Sequence, residues 1–139
     1  ISLSDLVAYV LFQIIGAIFG CLAANIIFEL PIITISTNVR HDLSQFLSEI
    51  LATFGLVLVI FVAREVARLN IPVIVGSYIA SAYWFTSSTS FANPAVTIAR
   101  QFSDTFTGIS PSGIPSFVLA QIFGAILGYI VVRWLFRGV

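Results

Sequence analysis

Lysine and methionine are absent from this sequence, and charge of either sign is scarce. Its 139 residues include six arginines and six acidic residues, for a net charge of zero, and the arginines are scattered along the chain. Nucleic-acid binding needs a concentrated basic surface, so that class of partner is excluded. The single cysteine, Cys21, can form no internal disulfide and is expected to be a small packed hydrophobe.

Side chains that build enzyme or metal sites are also sparse. The one histidine, His41, lies in a polar stretch without a nearby nucleophile or metal-ligand spacing, and Asp5, Asp42 and Asp104 are dispersed. Catalysis and metal binding need several such groups in one place. We therefore predict that the protein is not an enzyme and holds no metal or cofactor.

Apolar residues are what the chain has in abundance. They make up 59% of it, against 9% charged residues, and the mean hydropathy is +1.09. Crossing a hydrocarbon core of about 30 Å takes roughly 20 helical residues. Four stretches meet this length, residues 6–28, 46–67, 71–89 and 116–136. The sequence thus predicts an all-α, multi-pass membrane protein whose surroundings are a lipid bilayer.

A short segment between the third and fourth spans, residues 93–102, has helical character but cannot cross. Asn93 is a good N-cap and Pro94 suits the first helical position. Hydroxyl side chains precede it, at residues 87–90. Backbone that is not helical is tolerated at membrane depth only where it is buried in protein or faces a water-filled cavity. We predict a re-entrant half-helix beside such a cavity; the alternative is a surface helix in an extracellular loop.

The first and last spans repeat each other. Residues 9–20 read YVLFQIIGAIFG and residues 117–128 read FVLAQIFGAILG, which aligns Gln13 with Gln121 and two glycines with two glycines. Small residues on one face let helices approach closely, and Gln can form hydrogen bonds within a bundle. Such duplication is typical of membrane proteins built from repeated halves around a central pathway.

Asn93, Pro94 and Ala95 form an NPA tripeptide in the context SFANPAVTIAR. It opens the short helix and precedes the repeated span, and in this context the chain resembles the aquaporin (major intrinsic protein) family, in particular bacterial aquaglyceroporins. The resemblance implies a truncated aquaporin-like bundle: helices three to six with the second NPA half-helix, without helices one and two and the first half-helix. The start at Ile1, with no methionine and no signal-peptide pattern, agrees with a fragment. The resemblance also implies a homotetramer in the bacterial cytoplasmic (inner) membrane.

The family's function is passive permeation of small uncharged solutes. The amide-rich, positive end of a half-helix disfavours cations and protons, and the resemblance gives Asn93 the role of donor to the solute's oxygen. It places the selectivity constriction at Ser81, Ser90 and Val96. Most members carry Arg where this chain has Val96, so we predict a wider, less charged opening that passes glycerol, neutral arsenite and water. Arg100 is not expected to replace the missing Arg; it is predicted to be a solvated loop or interface residue.

Three polar residues within the spans are predicted to support the loop, namely Glu49, Gln13 and Gln121. The resemblance implies that Glu49 accepts hydrogen bonds from the backbone of the re-entrant loop; the alternative is a side chain that reaches the membrane interface. A water-selective or non-conducting family member is another interpretation of the whole chain. In a different class, half of a secondary transporter would need ionisable residues within the membrane, and only Glu49 qualifies.

Overall fold

The computed structural model describes residues 2–66 and 70–137, and every regular element in these ranges is helical. The helices are α1 (Leu3–Ile27), α2 (Leu43–Val66), α3 (Ile71–Phe85), α4 (Pro94–Ala99) and α5 (Ile114–Leu135), with 3-10 turns at Arg100–Phe102 and Pro111–Gly113. Ala67, the last residue of the second predicted span, lies outside the described residues. The predicted all-α class is confirmed.

Three of the helices are long and apolar enough to cross a membrane. They comprise 25 residues (α1), 24 residues (α2) and 25 residues (α5 with its preceding 3-10 turn). At about 1.5 Å per residue each exceeds the ~30 Å hydrocarbon core. Helix α1 begins at Leu3, three residues before the predicted start. Ser2 caps it, because the Ser2 hydroxyl accepts from the Asp5 amide at 3.1 Å and the Asp5 carboxylate accepts from the Ser2 amide at 3.3 Å.

Helix α3 is shorter than the sequence predicts, because it ends at Phe85 and not at residue 89. At Thr86 the backbone becomes extended, and the Thr86 hydroxyl donates to the Ala82 carbonyl at 2.7 Å. Thr89 and Ser90 then have positive φ angles of 63° and 48°, which no right-handed helix contains. Hydroxyl side chains that bond to nearby backbone compete with helix formation, and the apolar pattern alone did not register this.

The described residues form two compact units. The first unit comprises the chain up to Arg40 together with Asn93–Pro115, and in it α1 packs against α4 and the 3-10 turn that follows α4. The second unit comprises His41–Ala92 and the chain from Ser116, and in it α2 packs against α3.

Within the second unit, α5 approaches α2 closely through two glycines. A Cβ atom at Gly124 would collide with the Ile50 carbonyl oxygen, and one at Gly128 would lie 2.9 Å from the Phe54 carbonyl oxygen. The close approach expected from small residues is therefore present here. At the repeat-related positions of α1, residues 16 and 20, an added Cβ would meet nothing within 4 Å in the described part of the chain.

Candidate functional site

The NPA tripeptide begins the short helix α4. Asn93 has extended backbone angles, and its Oδ1 accepts a hydrogen bond from the Ala95 amide at 2.8 Å. Pro94 occupies the first turn, where its missing N–H leaves no bond unmade. The predicted cap is confirmed. Because Oδ1 makes the cap, the Asn93 side-chain NH2 group is a separate donor, and it bonds to no group among the described residues.

Helix α4 is far too short to cross a bilayer. Its 6 residues extend roughly 9 Å, and a 3-10 turn at Arg100–Phe102 follows directly. The backbone then becomes extended at Ser103. The predicted segment 93–102 therefore consists of a cap, one and a half turns of α-helix and one 3-10 turn. Its re-entrant position in a membrane remains a prediction.

The loop before α4 has an unusual backbone. Thr89, Ser90 and Ala92 all have positive φ angles, of 63°, 48° and 49°, although none is glycine. Such conformations cost about 1–3 kcal/mol each and persist only where the surroundings hold them. All three side chains lie in a buried stretch, residues 88–92. Something in the second unit must therefore fix this loop.

Glu49 of α2 is the group that holds the loop. It is fully buried, and its Oε1 accepts from the Phe91 amide at 2.8 Å and the Ser88 hydroxyl at 2.6 Å. Its Oε2 accepts from the Ala92 amide at 2.9 Å and from the side-chain amide of Gln121 at 2.7 Å. Four donors offset the cost of burying the carboxylate, because hydrogen bonds to a charged acceptor are the strong ones. The Glu49 side chain therefore lies inside the protein against the loop, and it does not extend outward as a side chain that reaches the membrane surface would.

The two glutamines of the sequence repeat differ in their surroundings. Gln121 is buried in α5 and donates to Glu49, so it joins α5 to the carboxylate that holds the loop. Gln13 is exposed on α1 and makes no hydrogen bond within the described ranges. A supporting role for Gln13 stays a prediction.

The three predicted constriction residues are divided between the two units. Ser81 is exposed on α3 and donates to the Ser77 carbonyl at 2.8 Å, and Ser90 is buried in the loop, its amide donating to Ser88 Oγ at 3.2 Å. Both belong to the second unit, whereas Val96 belongs to the first. Their grouping into one constriction stays a prediction.

Val96 lines a cavity of about 680 Å³ that lies wholly in the first unit. Helix α1 contributes small residues to its wall, among them Ala17, Gly20 and Ala24. Arg100 also lines it, is half-buried, and donates from Nη1 to the Thr107 carbonyl at 3.3 Å. The predicted solvation of Arg100 stays a prediction, whereas its place beside Val96 in this cavity was not predicted. A signal was available, since residues four apart on a helix share a face, and Val96 and Arg100 have that spacing.

Sequence reasoning also missed how two polar segments of the first unit are joined. Arg40 is buried, and its guanidinium donates to the Gly108 carbonyl at 2.7 Å and the Phe106 carbonyl at 2.6 Å. Asp104 accepts from the Thr37 amide at 2.9 Å. These charged side chains satisfy backbone groups across about 66–68 residues of sequence, a pairing that no local pattern reveals.

Comparison with known proteins identifies the family. No family model matches the chain, and no solved structure matches it significantly. Aquaglyceroporin AqpS of Rhizobium meliloti (strain 1021) is 47% identical over 133 residues, which cover 96% of this chain and 57% of AqpS. This chain belongs to the aquaporin family. It spans just over half the length of that relative, so the predicted partial, aquaporin-like helical bundle is confirmed.

The NPA tripeptide, which carries the resemblance to the aquaporin family, caps a helix that follows the loop held by Glu49. No group of three or more His, Cys, Asp or Glu side chains that could hold a metal occurs among the described residues. The arrangement offers an amide donor, a short helix and a firmly held loop.

Proposed function

We propose that the protein to which this chain belongs is a passive transmembrane channel for small uncharged solutes, with glycerol as the principal solute and water also passing. Neutral arsenite, which carries several hydroxyl groups, is a further proposed solute. The observation that carries the proposal is the Glu49 carboxylate holding the loop that leads into the Asn93-capped helix. It is supported by the 47% identity to a protein named as an aquaglyceroporin.

The proposed role of Asn93 is to donate to an oxygen of the passing solute. Its Oδ1 is engaged in the cap, and therefore the NH2 group points its donors away from the helix amides. A water molecule that accepts from this group is less able to pass a proton to the next water. The amide-rich end of α4 adds a positive partial charge that disfavours cations.

The proposed role of Glu49 is structural. A coupling carboxylate in a transporter exchanges its partners in each cycle, whereas this one is buried and accepts four hydrogen bonds. Releasing them would leave two buried backbone amides without acceptors, at a cost of about 1–3 kcal/mol each. This favours a channel over half of a secondary transporter.

The proposed constriction consists of Ser81, Ser90 and Val96. Arginine at the last position would narrow the opening and add a charge, whereas valine is smaller and apolar. This favours glycerol over a strictly water-selective pore, which remains the second candidate. A homotetramer in the bacterial inner membrane is proposed from the family alone.

Solute flux into vesicles tests the proposal. The full-length protein is reconstituted into liposomes, and light scattering follows their volume after osmotic challenge with an impermeant solute or glycerol; arsenite uptake is measured separately. We expect glycerol and water permeabilities above those of protein-free vesicles. We also expect the glycerol flux to rise linearly with glycerol concentration. Saturable uptake that needs an ion gradient would support a transporter instead. Water permeation without glycerol permeation would support the water-selective alternative.

A further inference from the structure

The cavity of the first unit has two chemically different walls. Its volume of about 680 Å³ lies within the range of roughly 300–1,000 Å³ that is usual for small-molecule sites. Helix α1 supplies a wall of small apolar side chains that leaves room for a guest. The segment after α4 supplies hydroxyl groups, from Ser103, Thr105 and Thr107. Such a cavity suits a solute with a short carbon skeleton and several hydroxyl groups.

The hydroxyls lie in a chain along this wall. Ser103 Oγ lies 3.4 Å from Thr105 Oγ1, and Thr105 Oγ1 lies 3.4 Å from Thr107 Oγ1. These are long contacts, and each hydroxyl can both donate and accept. A polyol can therefore exchange weak internal contacts for hydrogen bonds to its own hydroxyls. The three hydroxyls therefore form a row of hydrogen-bonding groups that a polyhydroxy solute can use.

Arg100 adds a fixed positive charge to the same cavity. Its side chain is half-buried, and the bond from Nη1 to the Thr107 carbonyl directs the guanidinium toward the hydroxyl wall. Val96 lies one turn earlier, roughly 6 Å along the helix axis, and lines the same cavity. A guanidinium remains charged at every physiological pH. The charge therefore repels cations in the cavity and attracts the oxygens of neutral solutes.

We propose that Arg100, with Ser103, Thr105 and Thr107, forms a selectivity site for neutral polyhydroxy solutes, one helical turn beyond Val96. In this site the arginine supplies the cation exclusion that valine at residue 96 does not. The inference rests on the proposed channel function. The competing explanation is that another part of the full-length polypeptide fills the cavity, with Arg100 as a packing residue.

Flux through Arg100→Ala and Arg100→Lys variants of the full-length protein tests the site. Hydrogen bonds to charged groups are the strong ones, so we expect R100A to lower glycerol permeability about tenfold and water permeability less than about twofold. R100A should also let sodium ions leak under an imposed gradient, and R100K should not. Arg133→Ala, at an exposed arginine of α5, is the matched control and should behave as wild type.

Labelling of Cys21 gives a readout that does not depend on flux. Cys21 lines the cavity with Arg100, so thiosulfonate reagents of similar size and opposite charge report the local potential. Any other cysteine of the full-length protein is first replaced by serine. We expect the ratio of anionic to cationic labelling rates to fall roughly threefold to tenfold in R100A and to be kept in R100K. The ratio cancels changes in thiol reactivity that affect both reagents.

The outcomes separate the inference from the proposed function. If wild type conducts glycerol but R100A keeps its glycerol-to-water ratio, sodium exclusion and labelling ratio, the inference is overturned and the channel stands. Equal losses of water and glycerol permeability with a lower melting temperature would identify a packing residue and also overturn it. If wild type conducts no solute, the proposed function fails and the inference fails with it.

Discussion

Replacing Glu49 by glutamine tests the feature on which the loop depends. The amide has the same shape as the carboxylate but lacks its charge, and it presents one acceptor oxygen and one NH2 group. In the structure both oxygens accept, one from Phe91 and Ser88 and the other from Ala92 and Gln121. Whichever way the amide is turned, its NH2 group faces a buried backbone N–H.

The magnitude follows from these contacts. Hydrogen bonds to a charged group contribute about 1.5–3 kcal/mol and neutral ones about 1 kcal/mol, so the bonds that remain are weakened. At least one buried backbone amide loses its acceptor, at about 1–3 kcal/mol. We expect Glu49→Gln to lower the free energy of unfolding by about 3 kcal/mol or more. Proteins of 150–250 residues lose about 2–4 °C per kcal/mol, which gives roughly 6–12 °C.

The assay compares melting of the detergent-solubilised full-length protein with flux through the same variant in vesicles. Glu65→Gln is the control, because Glu65 is an exposed carboxylate on the same helix and its substitution removes the same charge. We expect E65Q to match wild type, whereas E49Q should lower both the melting temperature and the glycerol permeability, since three left-handed loop residues lose their support. Equal melting temperatures and fluxes for E49Q and E65Q would refute the reasoning.

Three further substitutions are expected to act in separate parts of the molecule. Gly124→Leu should abolish a monodisperse protein peak on size-exclusion chromatography, because even a Cβ atom at this residue collides with the Ile50 carbonyl. Ala125→Leu, at the neighbouring half-buried residue, is the milder comparison. Equal elution profiles for the two variants would contradict the close packing of α5 on α2. Val96→Arg should lower glycerol permeability about tenfold more than water permeability, because the longer side chain narrows the path. An unchanged ratio of glycerol to water permeability in stopped-flow light scattering would show that Val96 is not part of the constriction. Arg40→Ala should lower the free energy of unfolding by about 3 kcal/mol, because two carbonyls lose a buried charged donor, and the melting temperature should fall by roughly 6 °C or more. Arg64→Ala, at an exposed arginine, is the control. Equal melting temperatures for the two variants would contradict the prediction.

Local patterns were enough to predict the helical class and the start of α4. An Asn-Pro pair before a short apolar stretch determines its own cap, and the structure has that cap at 2.8 Å. The end of α3 was predicted four residues late, because apolar content does not register a hydroxyl that bonds to its own helix. The helical state of a segment is thus predicted by local pattern, whereas the position of its last turn depends on competition between backbone and side-chain donors for the same carbonyl.

Contacts between distant residues could not be predicted in the same way. Glu49 meets the loop amides across 42 and 43 residues and Gln121 across 72 residues. Only the family resemblance pointed to the first of these, and nothing in the sequence pointed to the Arg40 contacts. Arg100 is a different case, because its place beside Val96 in one cavity follows from a local rule: residues four apart lie on the same face of a helix.

The repeat of Gln13 and Gln121 shows where sequence similarity stops being informative. Both glutamines are followed directly by isoleucine and by glycines at the third and seventh positions. Gln121 is buried, and its side-chain amide donates a hydrogen bond to a carboxylate on α2, whereas Gln13 is exposed in the first unit. A buried amide without such an acceptor would cost about 1–3 kcal/mol, so the burial of Gln121 depends on the carboxylate that faces it from α2. The duplicated motif therefore encodes a capacity for close, hydrogen-bonded packing, and α5 uses that capacity against α2.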